Sequence, residues 1–355
     1  MLYGVFLHAG VLVDNQLSFV IALVSDHFRM GTFFAISGFF AAMIARRKGG
    51  RVFVSWRLPI LGIPLFFGLL VLNPMTFYLI HVYNGGTGSL WALLMGQESW
   101  LVGSRQDWHL HLWFLISLMI YVFVTPALCR LLATGWLSQL LDRLAALPGP
   151  VLLLAVATVV IGTEVGSRIL LKLTIGNAIM GTPINYPLRA TLDYLPYFML
   201  GVAMFHARQL FERMHQVSIV VLCLGIGIEW MALSQSGVLS EDIVGVFVIV
   251  GEEITTVAAL AALLFFFRKA IPGRNRLAEG LNGSIYTIYL VHYVLIYLVA
   301  LTLLRGIDSP VVLQLSVAII VILLGEGFHR LCVRRFAIAQ LLFNGKMFPS
   351  PNTVK

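Results

Sequence analysis

The chain contains, at residues 27–40, the stretch HFRMGTFFAISGFF, in which a histidine and an arginine stand at the start of a long apolar run. No further charge follows before Arg46, and only the small or polar residues Thr32, Ser37 and Gly38 interrupt the run. An uncharged segment of this kind is typical of a helix that lies in a lipid bilayer. The stretch therefore predicts a membrane helix over residues 31–45.

The composition extends this prediction to the whole chain. Of the 355 residues, 59% are hydrophobic and only 11% are charged, whereas about one quarter of a soluble domain is charged. Only helices and closed barrels satisfy every backbone group in lipid, and no alternation of period two is visible. We therefore expect an all-α, polytopic membrane bundle, a single domain over residues 1–355, with about ten spans at 1–13, 31–45, 59–80, 111–133, 149–171, 194–207, 218–233, 243–267, 284–304 and 310–333.

The first apolar run is short for a membrane span. It offers about 13 residues before Asp14, whereas a spanning helix needs roughly 17 to 25. We expect this helix either to be partial or to continue upstream of Met1.

Basic residues are distributed unevenly between the predicted loops. Lys and Arg concentrate after the even-numbered spans, for example in ARRKGGRVFVSWR at residues 45–57, and such loops face the cytoplasm. Both termini are therefore predicted to be cytoplasmic. This topology explains the net charge of +8, so the charge gives no reason to expect binding to nucleic acid.

The three cysteines, Cys129, Cys223 and Cys332, lie far apart and in or near apolar runs. We interpret them as small apolar residues, not as disulfides or metal ligands. No metal site is predicted.

Ionisable residues within predicted spans are costly and suggest function by default. They are His8, His111, Glu164, Glu229, Glu252, Glu253, His292, Glu326 and His329.

The sequence leaves open what the histidines do. His111 and Trp113 begin a span, so they could belong to an interfacial anchor belt or to a site. Ser284 and His292 are eight residues apart and share a helix face, which fits an interhelical hydrogen-bond cluster as well as a site. His8 stands among apolar residues, and a lone histidine there more often packs than catalyses.

Several motifs occur together in a familiar order. They are MLYGVFLHAGVL with His8, FRMGTFFAISGFF, WRLPILGIPL, HLWFL, YLPYFMLGVAMF and SIYTIYLVHYVLIY, and they extend from one end of the chain to the other. In this combination the chain resembles the acyltransferase-3 family of membrane acyltransferases, and within that family the members that succinylate osmoregulated periplasmic glucans.

Two departures from the family pattern stand out. Family members carry a basic residue about eleven positions before the first-helix histidine, but His8 lies too close to Met1 for that position to exist. An arginine pair is also incomplete, because Arg57 is present and Leu61 stands where the second arginine is expected.

The resemblance implies a membrane O-acyltransferase of the bacterial inner membrane. Such an enzyme transfers an acyl group, here succinyl, from cytoplasmic acyl-CoA to hydroxyls of a periplasmic glucan. No bound cofactor is implied, since succinyl-CoA or acetyl-CoA serves as co-substrate. The partners are this donor, the glucan or another cell-surface polysaccharide, and the bilayer.

The residues then take provisional roles. His8 is the expected catalytic base, because histidine titrates near neutral pH, and His111 is a second catalytic candidate. Substrate-binding candidates are Arg29, Ser37, Arg57, Trp113 and His292. Ser37 and Gly38 equally fit a small-residue packing face, with Arg29 extending its charge to the interface.

Three alternatives remain open. The first is an O-acetyltransferase of lipopolysaccharide or exopolysaccharide. The second is a membrane transporter that uses Glu252 and Glu326 as a proton relay. The third is an inactive remnant of an acyltransferase, which the short first helix and the incomplete arginine pair suggest.

Overall fold

The computed structural model describes residues 2–13, 15–95, 108–179, 182–270, 273, 276–304 and 306–346, with side chains except at 177 and 276–282. These residues form helices and turns and contain no β-strand. The predicted all-α fold is confirmed.

Seventeen α-helices run through the described residues. They are α1 (Leu2–Ala9), α2 (Gln16–Asp26), α3 (Arg29–Lys48), α4 (Gly50–Phe67), α5 (Asn73–Tyr83), α6 (Leu90–Leu94), α7 (Trp113–Leu132), α8 (Gly135–Ala145), α9 (Gly149–Leu171), α10 (Asn177–Ile179), α11 (Asn185–His206), α12 (Arg208–Arg213), α13 (Ile219–Ser234), α14 (Glu241–Ala270), α15 (Arg276–Thr302), α16 (Pro310–Phe328) and α17 (Ala337–Asn344). Short 3₁₀ turns (Gly10–Leu12, Leu110–Leu112) and π turns (Gly68–Leu72, Lys172–Gly176, His329–Val333) continue or join several of them.

Seven helical segments among the described residues are long and apolar enough to cross a bilayer. They are Gln16–Lys48, Gly50–Tyr83, Leu110–Leu132, Gly149–Gly176, Glu241–Ala270, Gly283–Thr302 and Pro310–Val333. The chain is thus a multi-pass membrane protein.

The difference from the ten predicted spans has a physical reason. Leu2–Leu12 and Ile219–Ser234 are apolar helices but are short. The first half of α11 carries Arg189 and Asp193, which leaves its second half as the apolar part. All ten predicted regions are helical where they are described, apart from one or two residues at the ends of some of them.

The helices group into two compact units. Unit 1 comprises Met1–Leu23, Trp56–Met119 and Arg274–Lys355, and unit 2 comprises Val24–Ser55 and Ile120–Gly273. The prediction of a single domain over residues 1–355 stays a prediction.

Unit 1 is built around α15. Its core joins residues of α1, α5, α15 and α16, including the fully or almost fully buried Val5, Ile80, Ile296 and Val317. Helix α1 packs against both α15 and α16. The histidine of α1 is therefore carried into the centre of the unit by a short helix.

Unit 2 is organised by the close pairing of α3 and α11. A side chain at Gly38 would collide with the backbone carbonyl of Phe198, and one at Gly201 would collide with that of Ala35. The two glycines thus let the helix backbones touch, as small residues do in membrane helix pairs. The packing interpretation of Gly38 in the opening stretch agrees with this contact.

We expect Gly201→Ala to destabilise the protein by about 1–3 kcal/mol, since the added methyl group overpacks a backbone contact that cannot relax without separating the helices. Gly162→Ala is the matched control, because a Cβ at Gly162 in α9 meets open space. Thermal unfolding of the detergent-solubilised variants measures both effects. Equal midpoints for the two variants would contradict the packing.

Candidate active site

Three histidines that are distant in sequence meet in unit 1. The ring centroid of His292 lies 4.5 Å from that of His111 and 5.2 Å from that of His8. Two tyrosines of α15, Tyr289 and Tyr293, complete the cluster. We call these five residues the histidine cluster.

His8 is held in place by polar contacts at the end of α1. The buried Gln314 of α16 donates a hydrogen bond from Nε2 to the Phe6 carbonyl, 3.1 Å away. Its Oε1 accepts hydrogen bonds from Ser18 and Asn15 at the start of α2. Gln314 therefore fixes the place where the α-helix changes to a 3₁₀ turn, directly after His8.

His111 enters the cluster through a strained backbone. Leu110 has φ +48° and is the only residue besides glycine with a positive φ in the described part of the chain. A left-handed conformation costs about 1–3 kcal/mol for such a residue and persists only where its surroundings impose it. Asn73 contributes to this by donating a hydrogen bond of 2.8 Å to the Trp108 carbonyl. Strain of this kind concentrates at functional sites.

The side chain of His111 is 6% exposed. Its backbone carbonyl accepts a hydrogen bond of 2.7 Å from Tyr289, but within the described residues neither ring nitrogen has a hydrogen-bond partner. A buried polar group left unpaired costs about 1–3 kcal/mol, and such a group calls for an explanation. A substrate that supplies the missing partner is one.

His292 is 3% exposed and has a defined tautomer. Its Nδ1 lies 2.6 Å from the Tyr289 carbonyl, which can only accept, so Nδ1 carries the hydrogen. The neutral ring then presents Nε2 as an acceptor. Ser284, which the sequence places on the same helix face, bonds instead to Glu326.

The histidine cluster contains one residue that the sequence did not single out. Tyr293 is 7% exposed, and its hydroxyl lies 2.9 Å from Nδ1 of His8. Its ring stacks on His111 with centroids 4.7 Å apart and an interplanar angle of 4°. Its neighbour His292 is recognisable as an ionisable residue within a predicted span, whereas a tyrosine in an aromatic-rich helix does not indicate a functional site.

The other predicted residues of unit 1 lie outside this cluster of five. Arg57 is half-buried on α4 and interacts with Tyr286, whose hydroxyl is 3.4 Å from the Ile60 carbonyl. Trp113 begins α7 directly after the turn that holds His111, with its ring edge-on to Phe114. Leu61 is 3% exposed and belongs to the apolar core, which an arginine would not fit.

Arg29 and Ser37 belong to unit 2, where both are half-buried on α3. Their substrate-binding roles stay predictions.

Two buried acids, Glu164 and Glu253, and two half-buried ones, Glu229 and Glu326, have protein partners. The pairs are Glu164 with Arg168, Glu253 with Tyr197, Glu229 with His27 and Glu326 with Arg330. Among the described residues, no group of three histidine, cysteine, aspartate or glutamate side chains is arranged to hold a metal ion. The imidazole and phenol groups of the histidine cluster are able to take part in proton transfer and hydrogen bonding.

Comparison with known proteins agrees with this chemistry. Residues 1–325 match the model of a family described as "Acyltransferase domain". Curated relatives include glucans biosynthesis protein C of Salmonella paratyphi B (strain ATCC BAA-1250 / SPB7) and of Salmonella enteritidis PT4 (strain P125109). Each is 24% identical over 338 residues, which cover 90% of this chain and 82% of the relative. No solved structure matches the chain.

We expect His111→Leu to leave the free energy of unfolding unchanged or raised, because the substitution removes an unpaired buried imidazole. The matched control is His329→Leu. His329 is 7% exposed, but its Nδ1 is 2.8 Å from the buried Thr287 hydroxyl, so the control should lose about 1–3 kcal/mol. Thermal unfolding in detergent measures both. Destabilisation of His111→Leu as large as that of the control would show that His111 is a packing residue.

Proposed function

The chain belongs to the acyltransferase-3 family of membrane acyltransferases, and from this premise we propose that it transfers a succinyl group from cytoplasmic acyl-CoA to a hydroxyl of a periplasmic glucan. The observation that carries the proposal is the histidine cluster. In it, the half-buried His8 lies beside the buried His292. The ring centroids of His292 and His111 are 4.5 Å apart. The printed name of the relatives supports the glucan as acceptor. Succinyl as the acyl group follows from the resemblance alone.

The reaction needs a base. A sugar hydroxyl is a weak nucleophile at neutral pH, and an imidazole is suited to remove its proton as its oxygen attacks the thioester carbonyl. His8 is the most accessible of the three imidazoles, since it is half-buried while His111 and His292 are 6% and 3% exposed. We therefore assign the base to His8.

The attacked carbonyl oxygen develops negative charge. Hydrogen-bond donors held in a site without water stabilise such an oxyanion most strongly. The unpaired ring of His111 can offer an N–H at low exposure, which makes it the oxyanion donor in this proposal. His292, whose Nδ1–H is bonded to the Tyr289 carbonyl, is placed to accept a hydrogen bond from substrate.

Arg57 is the candidate for the donor's phosphate groups. The predicted topology puts the basic segment 45–57, which ends with Arg57, on the cytoplasmic side, and a guanidinium forms strong charge-assisted bonds to phosphate. Its position beside Tyr286 on α15 links it to the helix that carries His292 and Tyr293. The inner membrane as location and cytoplasmic termini belong to the same proposal.

Mass spectrometry of periplasmic glucans and surface polysaccharides tests the donor and the acceptor together. A strain that expresses the chain should carry succinylated glucan, and its deletion strain should lack the modification. Acetylated lipopolysaccharide or exopolysaccharide that disappears on deletion would instead establish the alternative acceptor. Identical glycans in both strains would leave the transporter or the inactive remnant.

We expect His8→Ala and His8→Gln each to lower the rate of acyl transfer about 10²- to 10⁴-fold, the usual contribution of a positioned general base. The rate is measured in membranes with labelled acyl-CoA and glucan, and is normalised to extracted protein. His215→Gln is the control, because that histidine belongs to unit 2 and its Nδ1 is bonded to the Phe211 carbonyl. A His8→Gln variant with near-normal turnover would remove His8 from the mechanism.

A further inference from the structure

Tyr293 joins two of the three imidazoles. Its hydroxyl is 2.9 Å from Nδ1 of His8, and its ring lies parallel to that of His111. The residue is 7% exposed and belongs to the packed core of unit 1 together with Ile296. A phenol held in this way has little freedom to turn away from His8.

The hydrogen bond to Nδ1 has a consequence for the other nitrogen. A neutral imidazole carries one hydrogen, so one ring nitrogen donates while the other accepts. For Nε2 of His8 to remove a proton, it must be the nitrogen without hydrogen. Nδ1 must then carry the hydrogen and donate it to an acceptor. The oxygen of Tyr293 stands at that position.

We propose that Tyr293 is a positioning residue for the acyl transfer, which accepts the Nδ1–H of His8 and thereby keeps Nε2 of His8 free of hydrogen and correctly oriented. The inference rests on the proposed role of His8 as base. The orienting group of a Ser-His-Asp triad has the same task, but there it is a carboxylate. Here a neutral phenol performs it in a low-dielectric environment, which avoids burying another charge.

The proton balance of the reaction is compatible with this role. The acceptor O–H bond breaks and its proton moves to Nε2 of His8, while the acceptor oxygen forms a bond to the thioester carbon. The C–S bond then breaks, and the departing thiolate takes the proton from Nε2. Tyr293 retains its own proton throughout and holds Nδ1–H in both the neutral and the charged state of His8.

Stacking on His111 explains why this tyrosine keeps its direction. A parallel contact at 4.7 Å fixes the plane of the phenol ring, and the ring plane fixes where the oxygen points. The backbone that carries His8 is also held in place, because Gln314 donates a hydrogen bond to the carbonyl of Phe6, two residues before His8. Both ends of the hydrogen bond are therefore attached to rigid elements, as positioned catalytic groups require.

Tyr293→Phe removes the oxygen and retains the ring. We expect kcat to fall about tenfold, the loss that corresponds to one hydrogen bond, with KM unchanged for acyl-CoA and for glucan. Tyr121→Phe is the matched control, since Tyr121 is 1% exposed and its phenol donates to the Thr191 carbonyl of unit 2. This control should lose stability but keep its kcat per folded molecule.

A double-mutant cycle tests whether Tyr293 acts through His8. In the His8→Gln background, Tyr293→Phe should cause no further loss of kcat, whereas in the His215→Gln background the tenfold loss should persist. A tenfold loss in the His8→Gln background would overturn the proposal, as would a change in KM with kcat unaffected.

The two proposals fail in different ways. Near-normal turnover of His8→Gln alone would refute the base assignment of the proposed function. Low turnover of His8→Gln together with native kcat in Tyr293→Phe would refute only the role of Tyr293.

Discussion

Within a bilayer, polar groups have no water to bind and must find partners inside the protein. The side chain of Gln314 meets this requirement by hydrogen bonds at the end of α1. Gln314 is fully buried, and one amide joins the Phe6 carbonyl to the Ser18 and Asn15 side chains. Helix α1 is joined to the rest of unit 1 by this amide and by packing against α15 and α16, and the position of His8 depends on that of α1.

The same requirement separates two kinds of buried polar residue. Glu164 and Glu253 are both deeply buried, yet each has a partner, Arg168 and Tyr197. The Glu253–Tyr197 pair joins α14 to α11, whereas Glu164 and Arg168 pair within α9. His111 differs, because both of its ring nitrogens lack a partner among the described residues. This uncompensated cost, beside the strained Leu110, is the reason that the proposed function uses His111 to bind the substrate.

Much of the fold could be predicted from the sequence, because helix formation in a membrane follows from uninterrupted apolar length. Helices α7, α14, α15 and α16 lie within or around their predicted spans for this reason. The number of helices that cross the whole membrane was harder to predict, because α1 and α13 are apolar but short. His8, His111 and His292 were each recognisable as ionisable residues in apolar surroundings. That their rings lie close together depends on how the helices pack, which the sequence does not show. The role of Tyr293 could not be predicted from its position next to His292, because adjacent helical residues point about 100° apart.

The uneven burial of the histidine cluster suggests how the two substrates approach. Hydrogen bonds and charges interact more strongly where water is absent, so the buried His111 is best used on the oxyanion, which exists only during the reaction. In the proposed reaction the acceptor hydroxyl has the opposite need, because it would arrive from an aqueous compartment as part of a hydrated glycan. His8, which is half-buried, is more accessible than His111. A base at the more accessible imidazole and an oxyanion donor at the more buried one would let the acceptor hydroxyl react while limiting the access of water, which is the competing nucleophile for any thioester.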